Sequence, residues 1–202
     1  MSDPAGAAAD VVDLYDRRAG DWIVDRGVGL TAADRLWLDR FTAALAPRDT
    51  VLDVGSGSGR PMAAALLDRG FDVTGVDSSA RLVAQATQDL PSARFLQADM
   101  RALDLGRTFA GLLAWHSLFH LTPEDQRVAL PRLLAHAAPR SVILFSSGDR
   151  LGHAIGEWCG DPLYHGSLDA AEYDAFLTGW GFRVEHGVWA DDGSAWLAWR
   201  DG

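Results

Sequence analysis

The sequence has a single cysteine, Cys159. That excludes an internal disulfide and fits a reducing compartment. It has no apolar run of the roughly 18–20 residues that a membrane span needs, because Arg, His or Pro interrupts the longest candidates within about ten residues. Basic residues are in the minority: 18 Lys and Arg stand against 28 Asp and Glu, a net charge of −10. No Lys/Arg run forms the basic stripe that a nucleic-acid backbone requires, so no nucleic-acid partner is expected. The Met1–Asp10 segment carries acid where a secretory signal would carry positive charge. There is no internal repeat. What remains, 202 residues at 48% hydrophobic, is enough for one large core. The expectation is one soluble, cytoplasmic domain over residues 1–202, with monomer and homodimer both open.

Short β-branched runs alternate with helical patterns, which reads as βαβ units on a parallel sheet, an α/β fold. The strand candidates are Thr50–Val54, Phe71–Val76, Arg94–Gln97, Phe109–Trp115, Val142–Ser146, Phe182–Trp189 and Ala195–Trp199. Helices are expected over Pro61–Asp68, Arg81–Asp89 and Pro123–Ala137, the last capped by Thr122 with proline in its first turn. Asp169 and Glu172 form a capping-box pattern for a further helix. Residues 1–48 make a helical preface, with helices over Asp10–Ala19 and Thr31–Ala46 and with Trp37, Phe41 and Leu45 on one face of the second. Residues 147–168 show no clear periodicity, and a loop that long reads as a lid. Trp189, Trp196 and Trp199 read as core.

One motif carries chemistry. Val51-Leu52-Asp53-Val54-Gly55-Ser56-Gly57-Ser58-Gly59 is a buried strand running into a glycine-rich turn and then a helix. Such a turn lets a ligand approach the peptide groups directly, and the following helix start offers unpaired N–H groups. Val76-Asp77 ends the second strand beside that turn, where an acid can accept both hydroxyls of a ribose. A third acid, Asp99, ends the third strand. Together they specify a ligand that contains a nucleoside. The dinucleotide fingerprint needs glycine at position 60, where this chain has Arg60, and the spacing present is G-x-G-x-G.

With these residues in place the chain resembles the class I S-adenosylmethionine-dependent methyltransferases, over Val51–Gly59, Val73–Ser78, Leu96–Met100 and Leu112–Leu121. More narrowly it is similar to small bacterial enzymes of that class acting on small molecules. The resemblance implies a doubly wound, Rossmann-like, seven-stranded sheet, mostly parallel, with a C-terminal antiparallel hairpin and an N-terminal helical cap. It implies S-adenosyl-L-methionine as cofactor. Gly55, Ser56, Gly57 and Gly59 would cradle the methionine end, with Asp53 nearby. Asp77 would hold the ribose, Ser78 would lie beside the adenine, Asp99 would accept from its amino group and Met100 would stack on it. Ala114 and Trp115 would pass under the sulfonium, and Tyr15 or Trp22 would close the site. The chain departs from many relatives at Ala110, where they carry Asp, and at His116.

His116 and His120 flank the end of the fourth strand, where substrate meets cofactor in an open α/β sheet, and a histidine there suits deprotonation of a hydroxyl or thiol. Packing and a backbone hydrogen bond are the competing reading for His120. His153, Trp158, Tyr164 and His165 fall in the expected lid and are candidate substrate contacts. His153, His165 and Cys159 match no ligand spacing, so no metal is expected. The expected reaction is methyl transfer to an O, N or S atom of a small-molecule acceptor. The alternatives are a nicotinamide-dependent oxidoreductase, which Arg60 opposes, and a protein that binds S-adenosylmethionine without catalysis.

Overall fold

The computed structural model describes residues 3–27, 29–189 and 193–202. The preface is three helices, α1 (Pro4–Arg17), α2 (Ala19–Arg26) and α3 (Ala32–Thr42). Helix α1 starts earlier than the apolar pattern predicts, because the Asp3 carboxylate caps it through Ala5 and Gly6 N–H and Pro4 occupies its first turn. On α3, Trp37, Leu38 and Phe41 are buried.

The main sheet begins with β1 (Thr50–Val54), β2 (Asp72–Asp77), β3 (Arg94–Gln97), β4 (Phe109–Ala114) and β5 (Ala137–Ser147). Crossover helices α4 (Met62–Asp68), α5 (Ala80–Asp89) and α6 (Pro123–Leu134) keep these strands parallel. Next come β6 (Gly152–Trp158), β7 (Asp161–Ser167) and α7 (Ala170–Gly179). The final strands are β8 (Arg183–Trp189) and β9 (Gly193–Arg200), and β9 runs antiparallel to both β5 and β8. The spatial order is β3-β2-β1-β4-β5-β9-β8, so the expected doubly wound sheet with its C-terminal hairpin is the one found.

The central strands are buried on both faces, which is why they read as nearly continuous apolar runs. Leu52, Leu112, Ile143 and Phe145 point into one core, which Trp196 also joins. Val51, Leu113, Val142 and Leu144 point into the other, against Trp37, Phe41 and Trp199. The Trp189 side chain lies outside the described residues. Helix α6 stops at Leu134, short of the expected Ala137, because Ala137 already pairs with Phe109 as the start of β5. The capping box of α7 is half made. Asp169 accepts from Glu172 N–H, but the Glu172 carboxylate turns to Arg127 at 2.6 Å.

The expected lid is a regular antiparallel hairpin. Strands β6 and β7 form a separate two-stranded sheet with Trp158 opposite Asp161, leaving Cys159 and Gly160 as the whole turn. Both turn residues have positive φ, 53° and 81°, the backbone of a type I′ turn. Among the described residues no helix is long and apolar enough to cross a membrane.

Candidate active site

The glycine-rich turn sits where β1 hands the chain to α4. Gly55 has φ 75°, and a Cβ there would lie 2.2 Å from Cβ of Ser117, so the following loop closes directly on its backbone. Gly57 N–H donates to Asp77 Oδ2 at 2.8 Å, and Asp77 Oδ1 accepts from Ser79 N–H at 2.9 Å. One carboxylate thus ties the turn after β1 to the start of α5, which Ser79 caps. Burial pushes the Asp77 pKa up, and the N–H groups of Ser79, Gly57 and Ser78 pull it back. Gly59 is a packing position instead: a Cβ there would meet Leu90 at 2.7 Å and Phe95 at 3.0 Å, and the residue does not line the cavity.

That cavity runs along the carboxyl ends of the strands. Gly55, Gly57, Asp77, Ser78, Asp99 and Met100 wall it from the sheet, and Tyr15 and Trp22 close it from the preface. His116, Ser117 and His120 stand at its far end. Arg101 also lines it, a residue that the sequence reading passed over. Its guanidinium holds the Asp99 carboxylate from both oxygens, at 2.6 to 3.0 Å, which occupies the acid expected to receive the adenine amino group. Those Arg101 contacts hold the Asp99 pKa below the usual carboxylate range, against the opposing effect of burial.

A smaller recess opens beside the glycine turn, where Asp53, Ser56 and Trp115 meet Arg26 and Arg60. Asp53 is buried, and its Oδ2 and the Ser56 hydroxyl have no hydrogen-bond partner among the described residues. Burial, then the charge of Asp77, push the Asp53 pKa up to about 7, with Arg26 opposing. Trp115 faces this recess rather than the larger cavity, and its indole N–H donates to Asp34 at 2.7 Å. Ala114 is fully buried in the core and lines neither space, because the last residue of β4 points between the sheet and α6.

The two histidines differ sharply. His116 adopts φ 54° at the end of β4, its N–H donating to Ser146 Oγ at 2.7 Å. Its Nε2 lies 3.4 Å from Oδ1 of Asp34, a buried acid in the first turn of α3. A carboxylate only accepts, so this contact selects the tautomer with hydrogen on Nε2 and the lone pair on Nδ1. Burial alone would raise the Asp34 pKa. Contacts from His116, Trp115, the Thr31 N–H and Arg26 overcome that and hold it far below the usual range.

His120 is not placed to act as a base. Its Nδ1 faces the Tyr164 carbonyl at 3.2 Å, which fixes hydrogen on Nδ1, and its Nε2 then accepts from the Tyr15 hydroxyl at 2.8 Å. Both nitrogens are used. Burial, then the neighbouring His165, push its pKa down to about 3. The Tyr15 phenol is raised by burial and next by the charge of Asp77.

The four expected substrate contacts separate. Tyr164 is buried against Ala7 and Val11 of α1 and is a packing residue. Trp158 stacks on Tyr15 at 5.5 Å and donates to Asp25 at 2.8 Å, so it braces the preface and lines none of the spaces described here. His153 and His165 line a second, larger cavity on the other side of His116. Among the described residues no group of three or more His, Cys, Asp or Glu could hold a metal.

An open α/β sheet with a glycine turn, an acid ending β2 and a cavity across the strand ends is an architecture that binds a nucleoside-containing ligand. Comparison with known proteins narrows this. Residues 51–140 match the family model described as a methyltransferase domain. The chain is 35% identical over 117 residues to trans-aconitate 2-methyltransferase of Azoarcus sp. strain BH72, covering 55% of this chain and 45% of that protein. It is 30% identical over 115 residues to the putative methyltransferase YqeM of Bacillus subtilis strain 168, covering 54% and 46%. The chain thus spans about half the length of these curated relatives. Among solved structures, it superposes on the Burkholderia thailandensis 1,6-didemethyltoxoflavin-N1-methyltransferase with S-adenosylhomocysteine bound. There the TM-score is 0.72 at 22% identity, over 100% of this chain and 92% of that one. Over residues 51–140 the chain is similar to a methyltransferase domain, and its fold is that of the superposed methyltransferase structure.

Proposed function

We propose that the chain binds S-adenosyl-L-methionine and transfers its methyl group to a small-molecule acceptor. The observation that carries the reading is the set of groups gathered along one cavity and its recess. An acid at the end of β2 is fixed by two backbone N–H groups, a glycine turn admits close approach, and a buried carboxylate oxygen, Asp53 Oδ2, stands unpartnered beside it. That orphaned oxygen fits the ammonium end of the cofactor, as the match to methyltransferases supports.

Asp77 would hold the ribose, Ala98 and Met100 would flank the adenine, and Tyr15 and Trp22 would cover it. With Asp99 engaged by Arg101, its part is to fix the loop. When bound, the cofactor supplies a methyl carbon on a cationic sulfur, open to in-line displacement. The protein then has to align the acceptor, exclude water and take a proton where the nucleophile carries one. His116 Nδ1, with Nε2–H directed at Asp34, is the group placed for that proton. The Azoarcus relative is named for a polyacid and the Burkholderia enzyme for a heterocycle, so the shared property is a small acceptor. We place the reaction in the cytoplasm, which suits the exposed free thiol of Cys159.

Calorimetric titration tests the proposal. S-adenosylmethionine and S-adenosylhomocysteine should each bind with 1:1 stoichiometry while NADH does not. Binding of NADH alone, or of none of the three, overturns it.

A further inference from the structure

The cavity beyond His116 has a volume of about 710 Å³ and lies over the C-terminal end of β5, roofed by the β6–β7 hairpin. It meets the cofactor cavity at His116, the residue common to both walls. That volume is in the range of small-molecule sites, roughly 300–1,000 Å³. Any acceptor seated there brings one end to the base and the other toward the hairpin.

The charge of its wall is the informative feature. Acids outnumber bases by ten in this chain, and the cofactor cavity carries Asp77, Asp99 and Asp125. Among the described residues no Asp or Glu lines the second cavity. The Ser147 and Ser167 hydroxyls there are already engaged, with Tyr173 and the Leu168 carbonyl, whereas the Ser146 hydroxyl accepts from His116 N–H and keeps its own hydrogen. The side-chain donors that remain include the Ser146 hydroxyl, the Arg150 guanidinium and the rings of His153 and His165. Arg150 is exposed, and no hydrogen bond or ion pair to it occurs among the described residues. Burial lowers the His165 pKa and favours the neutral ring, so Arg150 supplies the fixed positive charge. Beside it the wall is apolar, with Phe119, Ala154 and Leu151, the last 56% exposed at the rim. Among the described residues of this wall a protonated amine would find no carboxylate. A carboxylate would find a guanidinium whose planar fork matches it, next to carbon surface for the rest of the molecule.

We propose that this cavity is the acceptor site and that it takes a small organic acid. The carboxylate pairs with Arg150 at the rim, and the nucleophilic atom lies at His116. The inference rests on the methyl-transfer reading.

Calorimetry with S-adenosylhomocysteine present tests it on the whole chain, using aliphatic and aromatic mono-, di- and tricarboxylic acids with the matching amides and amines. At least one acid should bind about tenfold or more tighter than its amide, with its amine weaker still. Arg150→Gln should remove most of that preference and Arg150→Lys should keep part of it, while neither changes the affinity for S-adenosylhomocysteine. Arg150 is exposed, so neither variant threatens the fold. If S-adenosylhomocysteine binds but no acid does, or acids and amides bind alike, or Arg150→Gln keeps the preference, the acid site is wrong. If S-adenosylhomocysteine itself fails to bind, the methyl-transfer reading falls first, and the acid site with it.

Discussion

Asp34 Oδ1 lies 3.4 Å from Nε2 of His116, joining the first turn of α3 in the preface to the end of β4 in the sheet. The same carboxylate accepts from Thr31 N–H at 3.0 Å and from the Trp115 indole at 2.7 Å. It is therefore held before it holds the histidine. His116→Ala should lower kcat by about 10²-fold for a hydroxyl or thiol acceptor, the usual scale of one general base. Asp34→Asn should lower kcat by about tenfold through the lost tautomer control. In both variants the affinity for S-adenosylhomocysteine, read by calorimetry, should stay within about twofold of the parent. An unchanged kcat in His116→Ala removes the histidine from the base role.

Asp77 bonds to two backbone N–H groups of the walls that would hold the cofactor, so its loss should act on binding and on fold together. Asp77→Ala leaves Gly57 N–H and Ser79 N–H without an acceptor, a cost of about 1–3 kcal/mol. The affinity for S-adenosylhomocysteine should fall by about 10²-fold, since charge-assisted bonds to two ribose hydroxyls go as well. Thermal unfolding and calorimetry on one preparation separate the two effects. A drop in melting temperature with retained affinity would remove the ribose role.

The sheet was legible in the chain because parallel strands buried on both faces leave apolar runs, and Thr50–Val54 begins and ends where that pattern does. The β6–β7 hairpin was not. Its turn uses Cys159 in the left-handed region, where Asn or Asp is the usual signal, so the sequence carries no hairpin mark there. Asp34 went unnoticed for a related reason. Thr31 and Asp34 are spaced as a capping box, and both of its hydrogen bonds form, so the residue reads as a helix start. Only the crossing of α3 over β4 gives its second oxygen a further duty. Gly59, by contrast, belonged to a true motif yet faces Leu90 and Phe95, because a glycine spacing does not say which glycine serves the ligand.

Asp53 should leave a mark on pH dependence. Its folded pKa, raised by burial to about 7, exceeds the unfolded value near 3.8, so between those values the folded chain binds a proton that the unfolded chain has released. Stability contributed by this group is present below pH 4 and is lost as pH rises through 7. Three pH units correspond to at most about 4 kcal/mol. Denaturant unfolding at pH 5 and pH 8 should show the parent losing part of that amount and Asp53→Asn losing less. Equal slopes in the two proteins would show that Asp53 is not protonated in the fold. Saturating S-adenosylhomocysteine, whose ammonium would pair with the ionised acid and lower its folded pKa, should flatten the parent's loss between pH 5 and pH 7.

Besides the packing of Tyr164 on Ala7 and Val11, the turn end of the hairpin is fastened to the preface by ion pairs and by aromatic contacts, and their magnitudes decide which of the two matters more. Arg17 and Arg18 reach Asp161 at 3.3 and 3.2 Å, but all three groups are partly exposed, and exposed pairs are worth about 0–1 kcal/mol each. Trp158 stacks on Tyr15 at 5.5 Å, meets Trp22 edge-on at 6.0 Å and donates to Asp25. Such aromatic pairs add about 0.5–1.5 kcal/mol each beyond the area they bury. Asp161→Asn should therefore have the smaller effect on stability, and a smaller one again in high salt. Trp158→Ala should cost about 2–4 kcal/mol, little changed by salt, and should weaken S-adenosylhomocysteine because Tyr15 and Trp22 lose their brace over its cavity. Chemical unfolding of both variants at low and high salt measures the contrast. A larger loss for Asp161→Asn would mean that charge, rather than the stacked rings, holds the preface closed over the site.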